Sequence, residues 1–364
     1  MYLKESVVPE RPKIRTYLQT KQVSKDCLVF EAGSDSVTLK GSSVSELLPL
    51  LLQRLDGTHT LSSIKEQLPQ VEPKVIDEAL SLFARSNLLE DPSLPPPSTM
   101  APAMLQHLEH QFNFWLSARN DRYGPQEMLS KAQVCILGSG ELGTTVADLL
   151  LSAGVAKVLR TDTTEASASD GLSGHSNSKQ MTTAKVSREI EQLESALTGS
   201  QLAILCEDFR TPLMCRLANE ACLKLELPWI SGYVDHNRAS IGPFIIPRQT
   251  ACFRCYEYRC QGNCAHGDPG SDPEAIAATK PQCFGMLKPF AGYAANYLAL
   301  EAMKSLTKFA YPATAGRVHT INFFTMESEF HDVLKLPRCP SCSPMRHTPL
   351  MKIWELETAT KIKK

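Results

Sequence analysis

The sequence predicts an α/β protein of two domains, and three observations favour this class. The chain has 364 residues, of which 43% are hydrophobic, and a domain usually takes roughly 150 residues. A hairpin pattern and three short helical patterns fill residues 1–90. Beyond about residue 130, strand and helix patterns alternate, which is typical of a mostly parallel, doubly wound sheet.

The first module is predicted to be a β-hairpin followed by helices. Residues 27–41 alternate apolar and polar side chains around a turn, as in a hairpin. Ser43 and Glu46 have the spacing of a capping box, which would open the first helix, and Thr60 can cap the second. The three helical patterns end near Leu55, Leu68 and Leu88. A hairpin with three short helices indicates a winged helix-turn-helix-like module.

A proline-rich segment separates this module from the rest of the chain. Residues 91–103 carry prolines too closely spaced for a helix or a central strand, so we interpret them as a linker. The second domain is then predicted to span residues 104–364. Its first element is an apolar helix from Met104 to about Arg119.

Charge and hydropathy exclude several classes of partner. Lys and Arg (38) nearly balance Asp and Glu (39), so no overall field favours nucleic acid or a membrane surface. The helix that would enter DNA in the first module carries Asp77 and Glu78 against Arg85, the opposite of a phosphate-binding helix. We find no signal peptide and no run of about 18 apolar residues, and we expect a cytoplasmic protein.

Twelve cysteines suggest either disulfides or metal binding. Disulfide frameworks belong mainly to small secreted domains, so metal is the first expectation here. Two CxxC pairs, Cys252/Cys255 and Cys339/Cys342, supply four thiolates, which satisfy tetrahedral Zn²⁺ and leave no position for water. The pattern therefore predicts a structural zinc site, with four unrelated thiols as the alternative. Further candidate ligands are Cys260, Cys264 and His266, which would form a second site, compete for the first or be plain loop residues; Cys283 has no assigned role.

A glycine-rich turn follows the first predicted strand of the second domain. Gly138, Gly140 and Gly143 form a GxGxxG motif that opens a helix, and such a turn lets a phosphate approach the helix N-terminus. Asp162, 19 residues after Gly143, is placed to hold a ribose hydroxyl. The motif alone does not distinguish NAD from ATP, nor from glycines that serve only the turn and helix packing. No catalytic set of side chains can be assigned.

Four stretches in this order resemble the ThiF-type, ubiquitin-activating-enzyme-like family. They are residues 124–158, 228–255, 282–307 and 338–344. The resemblance implies a Rossmann-like domain that binds ATP and Mg²⁺ at the glycine loop and adenylates a C-terminal carboxylate. It also implies a structural zinc held by four cysteines, and a homodimer.

The same resemblance implies roles for three residues and exposes one departure. Asp162 would bind the ribose, Lys185 on a helix predicted from Ala184 to Leu197 would match the family lysine, and Asp208 would place Mg²⁺. The family arginine is missing, since residues 176–180 read SNSKQ with a lysine, and lysine cannot bind phosphate in a bidentate manner. Because the 46 residues from Asp162 to Asp208 are also few for the expected elements, we predict a degenerate nucleotide site.

The first module carries a second resemblance. Residues 47–91 are similar to the peptide-recognition element of ribosomal-peptide biosynthesis, in which a precursor's leader peptide adds a strand to a sheet edge. Joined to a ThiF-type domain, this element implies a partner of a YcaO-type cyclodehydratase that converts Cys, Ser or Thr to azolines. Two hypotheses follow: a leader-peptide-binding scaffold that delivers the precursor, or an ATP-dependent adenylating enzyme that acts on a peptide carboxylate or amide.

Overall fold

The structure is a computed structural model with two units, Met1–Gly124 and Pro125–Lys364. The residues described are 8–33, 35–97, 100, 102–119, 121–138, 140–162, 181–185, 189–208, 212–263 and 285–344.

The first unit joins small antiparallel sheets to short helices. Its elements are β1 (Lys13–Ile14), β2 (Gln19–Ser24), β3 (Cys27–Ala32), β4 (Asp35–Lys40), α1 (Ser43–Glu46), α2 (Leu48–Leu52), α3 (Leu61–Glu66), α4 (Pro73–Arg85), β5 (Leu89–Glu90), α5 (Pro102–His107) and α6 (Glu109–Arg119). Strands β2, β3 and β4 form one sheet in that order, and β1 pairs with β5. Thus β4 is an edge strand, next to the predicted hairpin partner β3.

The core of this unit forms where the apolar faces of the sheet and the helices meet. Phe30 of β3 and Phe83 of α4 are each 1% exposed and make an edge-to-face contact with ring centroids 6.2 Å apart. The helix predicted after Gly41 begins at Ser43, but no side chain caps it and the helical stretch is divided into α1 and α2, so the predicted capping box does not form. The cap at Thr60 is confirmed, because its hydroxyl accepts the Ser63 N–H at 3.2 Å. The winged helix-turn-helix assignment remains a prediction.

The second unit contains one eight-stranded sheet with helices around it. From its first helix onward, the elements are α7 (Gly124–Leu129), β6 (Gln133–Leu137), α8 (Glu141–Ser152), β7 (Lys157–Asp162), β8 (Met181–Lys185), α9 (Ile190–Leu197), β9 (Leu202–Glu207), α10 (Pro212–Lys224), β10 (Trp229–Asp235), β11 (Arg238–Ile245), α11 (Phe253–Asn263), α12 (Lys288–Thr307), β12 (Arg317–Asn322) and β13 (Ser328–Asp332).

The strand order β13-β12-β11-β10-β9-β6-β7-β8 explains where a ligand would sit. Strands β8, β7, β6, β9 and β10 are parallel, and the last three strands extend the sheet antiparallel. The chain runs outward from β6 to β8 and then returns to β9 on the other side of β6. The carboxyl ends of β6 and β9 therefore border a topological switch point, which is the usual ligand crevice of such sheets.

The predicted mixed α/β class is confirmed, and one element differs from expectation. Ala184 and Lys185 belong to β8, and the helix begins only at Ile190, so the predicted helix from Ala184 is wrong in its first turn. In this segment β8 pairs in parallel with β7, and such long-range pairing leaves no helical periodicity in the sequence. In the part of the chain that the structure describes, no helix is both long and apolar enough to cross a membrane.

Candidate metal centre and glycine-rich loop

The two CxxC pairs meet in space although 87 residues separate them in sequence. Cys252 directly precedes α11 and Cys255 lies in its first turn, while Cys339 and Cys342 lie in a turn after β13. The four sulfur atoms all lie within 4.8 Å of one another. Sγ–Sγ separations are 3.9 Å for Cys252/Cys255, 3.6 Å for Cys252/Cys339 and 3.5 Å for Cys255/Cys342.

These separations fit a tetrahedral metal ion. A Zn–S bond of about 2.3 Å in a tetrahedron places two sulfurs about 3.8 Å apart, whereas a disulfide requires about 2.05 Å. Three of the four cysteines are buried and Cys342 is half-buried, so a bound ion would be shielded from water. The cluster could therefore bind a metal such as zinc, and four protein ligands would give that metal a structural role.

Hydrogen bonds among the sulfurs indicate how the cluster accommodates its charge. The hydrogen bond from Cys252 holds the pKa of Cys255 well below its usual range and raises the pKa of Cys252 itself. The backbone N–H of Leu336 donates to Cys255 Sγ at 3.3 Å, which further favours a thiolate there. A divalent cation would replace the shared protons and neutralise the thiolates.

The other candidate ligands do not join this cluster. Cys260 lies on α11 and is half-buried, outside the group of four sulfurs. Cys264, His266 and Cys283 lie outside the described residues, so a second metal site remains a prediction.

The glycine-rich loop connects β6 to α8 and has local reasons for two of its glycines. Gly138 has a φ of +129°, and a Cβ there would lie 1.9 Å from the carbonyl oxygen of Cys206. A Cβ on Gly143 would lie 2.8 Å from the Gly138 carbonyl oxygen, so this glycine allows α8 to pack against the loop. Turn geometry and helix packing thus require both residues whether or not a nucleotide binds.

Asp208 occupies the N-terminus of α8. Its Oδ2 accepts the Glu141 N–H at 3.0 Å and its Oδ1 accepts the Leu142 N–H at 3.1 Å. A Cβ on Gly140 would come within 2.1 Å of Asp208 Oδ2, so Gly140 makes room for this carboxylate. In this conformation the chain's own carboxylate fills the position where an anion such as phosphate would meet the free N–H groups.

The remaining predicted site residues lie on neighbouring strands. Asp162 ends β7 and Lys185 ends β8, and the two are register partners at the same end of the sheet. Their side chains and residues 176–180 are not described, so the predicted ribose and phosphate contacts remain predictions.

Sequence analysis missed the contact between Asp208 and α8. The residue was assigned to Mg²⁺ through resemblance alone. Once the strand order is known, an acid at the end of β9 next to the glycine that opens α8 indicates that the acid caps this helix. That order is a property of the tertiary structure.

Comparison with known proteins finds a family resemblance in the second unit. Residues 166–343 match the ThiF family, a stretch that includes Asp208 and all four cysteines but starts after the glycine loop. This part of the second unit is similar to the ThiF family. Two curated relatives are molybdopterin-synthase adenylyltransferases: the Salmonella typhimurium protein is 23% identical over 254 residues and the Escherichia coli protein 24% over 252. In both cases the alignment covers 64% of this chain and 94% of the relative.

Solved structures with ThiF-like folds extend the likeness to nearly the whole chain. The crystal structure of E. coli MccB with MccA-N7isoAsn has a TM-score of 0.66 at 14% identity. The match covers 91% of this chain and 99% of the MccB chain. The heterocyclase TruD has a TM-score of 0.64 at 19% identity and covers 95% of this chain, but this chain covers only 45% of TruD. A heterocyclase in complex with substrate and cofactor has a TM-score of 0.62 at 17% identity. The match covers 91% of this chain and 39% of the heterocyclase chain. These likenesses show the fold.

Proposed function

We infer that this protein is a leader-peptide-binding scaffold for ribosomal-peptide biosynthesis. Its first unit binds the leader of a precursor peptide, and its ThiF-family domain docks a YcaO-type cyclodehydratase that forms azolines from Cys, Ser or Thr. The fold shared with TruD, a heterocyclase, and with MccB, solved with MccA, supports a peptide substrate and this class of pathway. A homodimer, cytoplasmic location and a zinc ion in the thiolate cluster are part of the same proposal.

The observation that carries the proposal is the open edge of β4 beside a small cavity in the first unit. Strand β4 pairs with β3 on one side only among the described residues. A cavity of about 200 Å³ adjoins it, and its lining includes Val37 of β4 and Ser86, which follows α4. Arg15, which is 1% exposed, also lines this cavity.

Strand addition at this edge requires no rearrangement of the sheet. A peptide would use main-chain hydrogen bonds to β4 for affinity and place one side chain in the cavity to fix its register. The cavity is about the volume of one large side chain, so it suits a single anchor residue. A DNA-binding role gains no support, since helix α4 carries Asp77 and Glu78, which oppose phosphate binding.

The Asp208 carboxylate favours a scaffold over an adenylating enzyme. It takes two N–H groups at the α8 N-terminus and brings a negative charge to the position where a phosphate group would bind. A nucleotide would have to displace this carboxylate. We therefore expect weak nucleotide binding by the chain alone.

The test is a titration of the full chain with a leader peptide. The probe is the leader of any short Cys/Ser/Thr-rich peptide that a search finds encoded beside this protein, labelled with a fluorophore at one end. Saturable anisotropy without ATP, together with no peptide-dependent ATP–pyrophosphate exchange, is the expected result. The absence of binding by every neighbouring leader peptide would contradict the proposal.

An adenylating enzyme is the alternative, and the two curated adenylyltransferase relatives favour it. The glycine loop and Asp208 are retained, so a conformation in which Asp208 leaves α8 could admit ATP and Mg²⁺. Exchange of pyrophosphate into ATP, dependent on peptide and lost in Asp208→Ala, would establish this alternative.

A further inference from the structure

A surface cavity of the second unit lies against one side of the four-cysteine cluster. Its volume is about 590 Å³, and its walls come from α9, α10, the turn after β11 and the turn that carries Cys339 and Cys342. Ile190 and Leu223 form apolar parts of the wall. The cavity opens to solvent, because the lining residue Arg248 has a side chain that is 80% exposed. An ion or a small molecule in solution can therefore enter it.

The four cysteines differ in their access to this cavity. Cys252, Cys255 and Cys339 are each at most 1% exposed, and none of the three lines the cavity. Cys342 is half-buried and does line it. A buried thiol is inert towards reagents in solution, because reaction requires contact with the reagent. Of the four candidate ligands, Cys342 is therefore the one that a chelator or an incoming metal ion meets first.

Four charged side chains that line the cavity cancel in two pairs. Glu194 pairs with Lys224 at 2.6 Å, and Glu226 pairs with Arg248. Each pair is neutral as a whole, so it adds little to the electrostatic field inside the cavity.

Glu220 is the lining carboxylate without a cationic partner among the described residues. Its Oε1 accepts the hydroxyl of Ser341, the residue directly before Cys342. This hydrogen bond holds one negative charge beside the accessible cysteine. In a cleft with walls of low dielectric constant, charge of one sign raises the local concentration of ions of the other sign, here a divalent cation.

We propose that this cavity is the path by which a metal ion enters and leaves the thiolate cluster, with Cys342 as the ligand that opens and Glu220 as the carboxylate that attracts the ion. During release, the bond from the metal to the Cys342 sulfur breaks while a bond forms to water or to a donor atom of a chelator. The three buried thiolates hold the ion until then, and uptake runs through the same steps in reverse. This path presupposes that the cluster binds a metal, which is part of the proposed function, but it requires neither peptide nor nucleotide.

The first experiment obstructs the cavity. Leu223→Trp places an indole in its wall, and we expect both Zn²⁺ uptake by the metal-free chain and zinc release into a coloured chelator to slow at least fivefold. Zinc affinity should stay within twofold, because an obstacle on a path changes the forward and reverse rates alike. The matched control is Leu225→Trp, at an exposed leucine that does not line the cavity, and this variant should exchange zinc like the unmodified protein.

The second experiment removes the charge of Glu220. Glu220→Gln keeps an oxygen that can accept the Ser341 hydroxyl, so we expect only Zn²⁺ uptake to change, at least threefold slower at low salt. The difference should vanish at about 1 M salt, where the screening length is about 3 Å. The control is Glu191→Gln, which removes the same charge from an exposed residue of α9 outside the cavity.

The third experiment needs no variant of the chain. The zinc-loaded full chain is treated with iodoacetamide for increasing times, and peptide mass spectrometry follows the alkylation of each cysteine. Among the four candidate ligands, Cys342 should be modified first, at least tenfold faster than Cys252, Cys255 or Cys339, and zinc should leave the chain at the rate of that modification.

Three results would overturn the path. One is zinc exchange at the unmodified rate in Leu223→Trp, or in Ile190→Trp on another wall if Leu223→Trp does not fold. Another is equal slowing in Leu225→Trp, and the third is first alkylation at one of the three buried cysteines. A chain that binds no zinc would contradict the metal and its path together, whereas these three results contradict the path alone. Circular dichroism verifies the fold of each variant, and the order of alkylation decides the case if neither tryptophan variant folds.

Discussion

At the scale of single residues, two polar side chains of the second unit have environments that decide how they behave. Asp208 acts as the anion of α8, and His319 lies 3% exposed between the rings of Tyr297 and Phe330, with centroids 4.6 Å away on each side. The residue type alone predicts neither of these environments. From each environment we derive a prediction that a single substitution can test.

The first prediction concerns Asp208→Asn. The side chain keeps an oxygen that can cap α8 but loses its charge, so we expect ATP to bind at least tenfold more tightly in calorimetry, since like-charge repulsion at the α8 N-terminus is removed. The matched control is Glu141→Gln, which removes a charge at the same helix end where Glu141 pairs with Lys288 at 3.6 Å. Weaker ATP binding by Asp208→Asn would instead favour the Mg²⁺ role of an adenylating enzyme.

The second prediction concerns pH. Burial lowers the pKa of His319, an effect that the Glu301 carboxylate opposes. The unfolded chain therefore binds a proton below its ordinary pKa of about 6.5 that the folded chain does not, and the free energy of unfolding falls as pH drops below that value. Urea unfolding between pH 5.5 and 7.5 should show a shallower pH slope for His319→Phe than for the unmodified protein. The exposed His331 is the control, and His331→Gln should keep the slope.

At the scale of elements, the edge strands of the first unit differ in what lies beside them. Strand β4 adjoins the cavity that includes Val37, whereas β2, the opposite edge, is exposed at every residue. A peptide that adds a strand has hydrogen-bonding groups available at either edge, but the lining of this cavity includes residues of β4 and none of β2. Selectivity between the edges is thus a test of the proposed leader site.

The third prediction compares one substitution at the two edges. Ser36→Trp on β4 should weaken leader binding at least tenfold, because the indole would fill or cover the cavity that Ser36 lines. Ser24→Trp on β2 places the same side chain on the other exposed edge and should leave the affinity within twofold. Fluorescence anisotropy with a labelled leader measures both. Equal loss at the two edges would show that the leader does not use β4.

At the scale of the whole molecule, the thiolate cluster joins segments 87 residues apart in the second unit. A metal ion that binds these thiolates only in the folded protein stabilises the fold by its binding free energy. The cavity proposed as the leader site is lined by first-unit residues. Metal and leader peptide should therefore act on different parts of the molecule.

The fourth prediction is that removing the metal destabilises the second unit and leaves the affinity for leader peptide unchanged. A chelator, or Cys339→Ser, should lower the midpoint of thermal unfolding of the second unit by several degrees while leader affinity stays within twofold. Cys260→Ser is the matched control, since that thiol lies outside the cluster and should retain the metal. Loss of leader binding on chelation, with the fold intact, would contradict a structural role.

The sequence by itself determined the α/β class, the ThiF resemblance and the identity of the four cysteines, because these depend on local periodicity and on fixed short spacings. It misassigned the residues around Lys185, because their strand exists only through pairing with β7. Only the tertiary structure decided that the sulfurs come within 4.8 Å, that Asp208 fills the α8 N-terminus and that Asn219 of α10 accepts the Phe253 N–H beside Cys252. Each of these contacts joins residues far apart in the chain, and the order of strands in the sheet, which brings such residues together, has no local signature in the sequence.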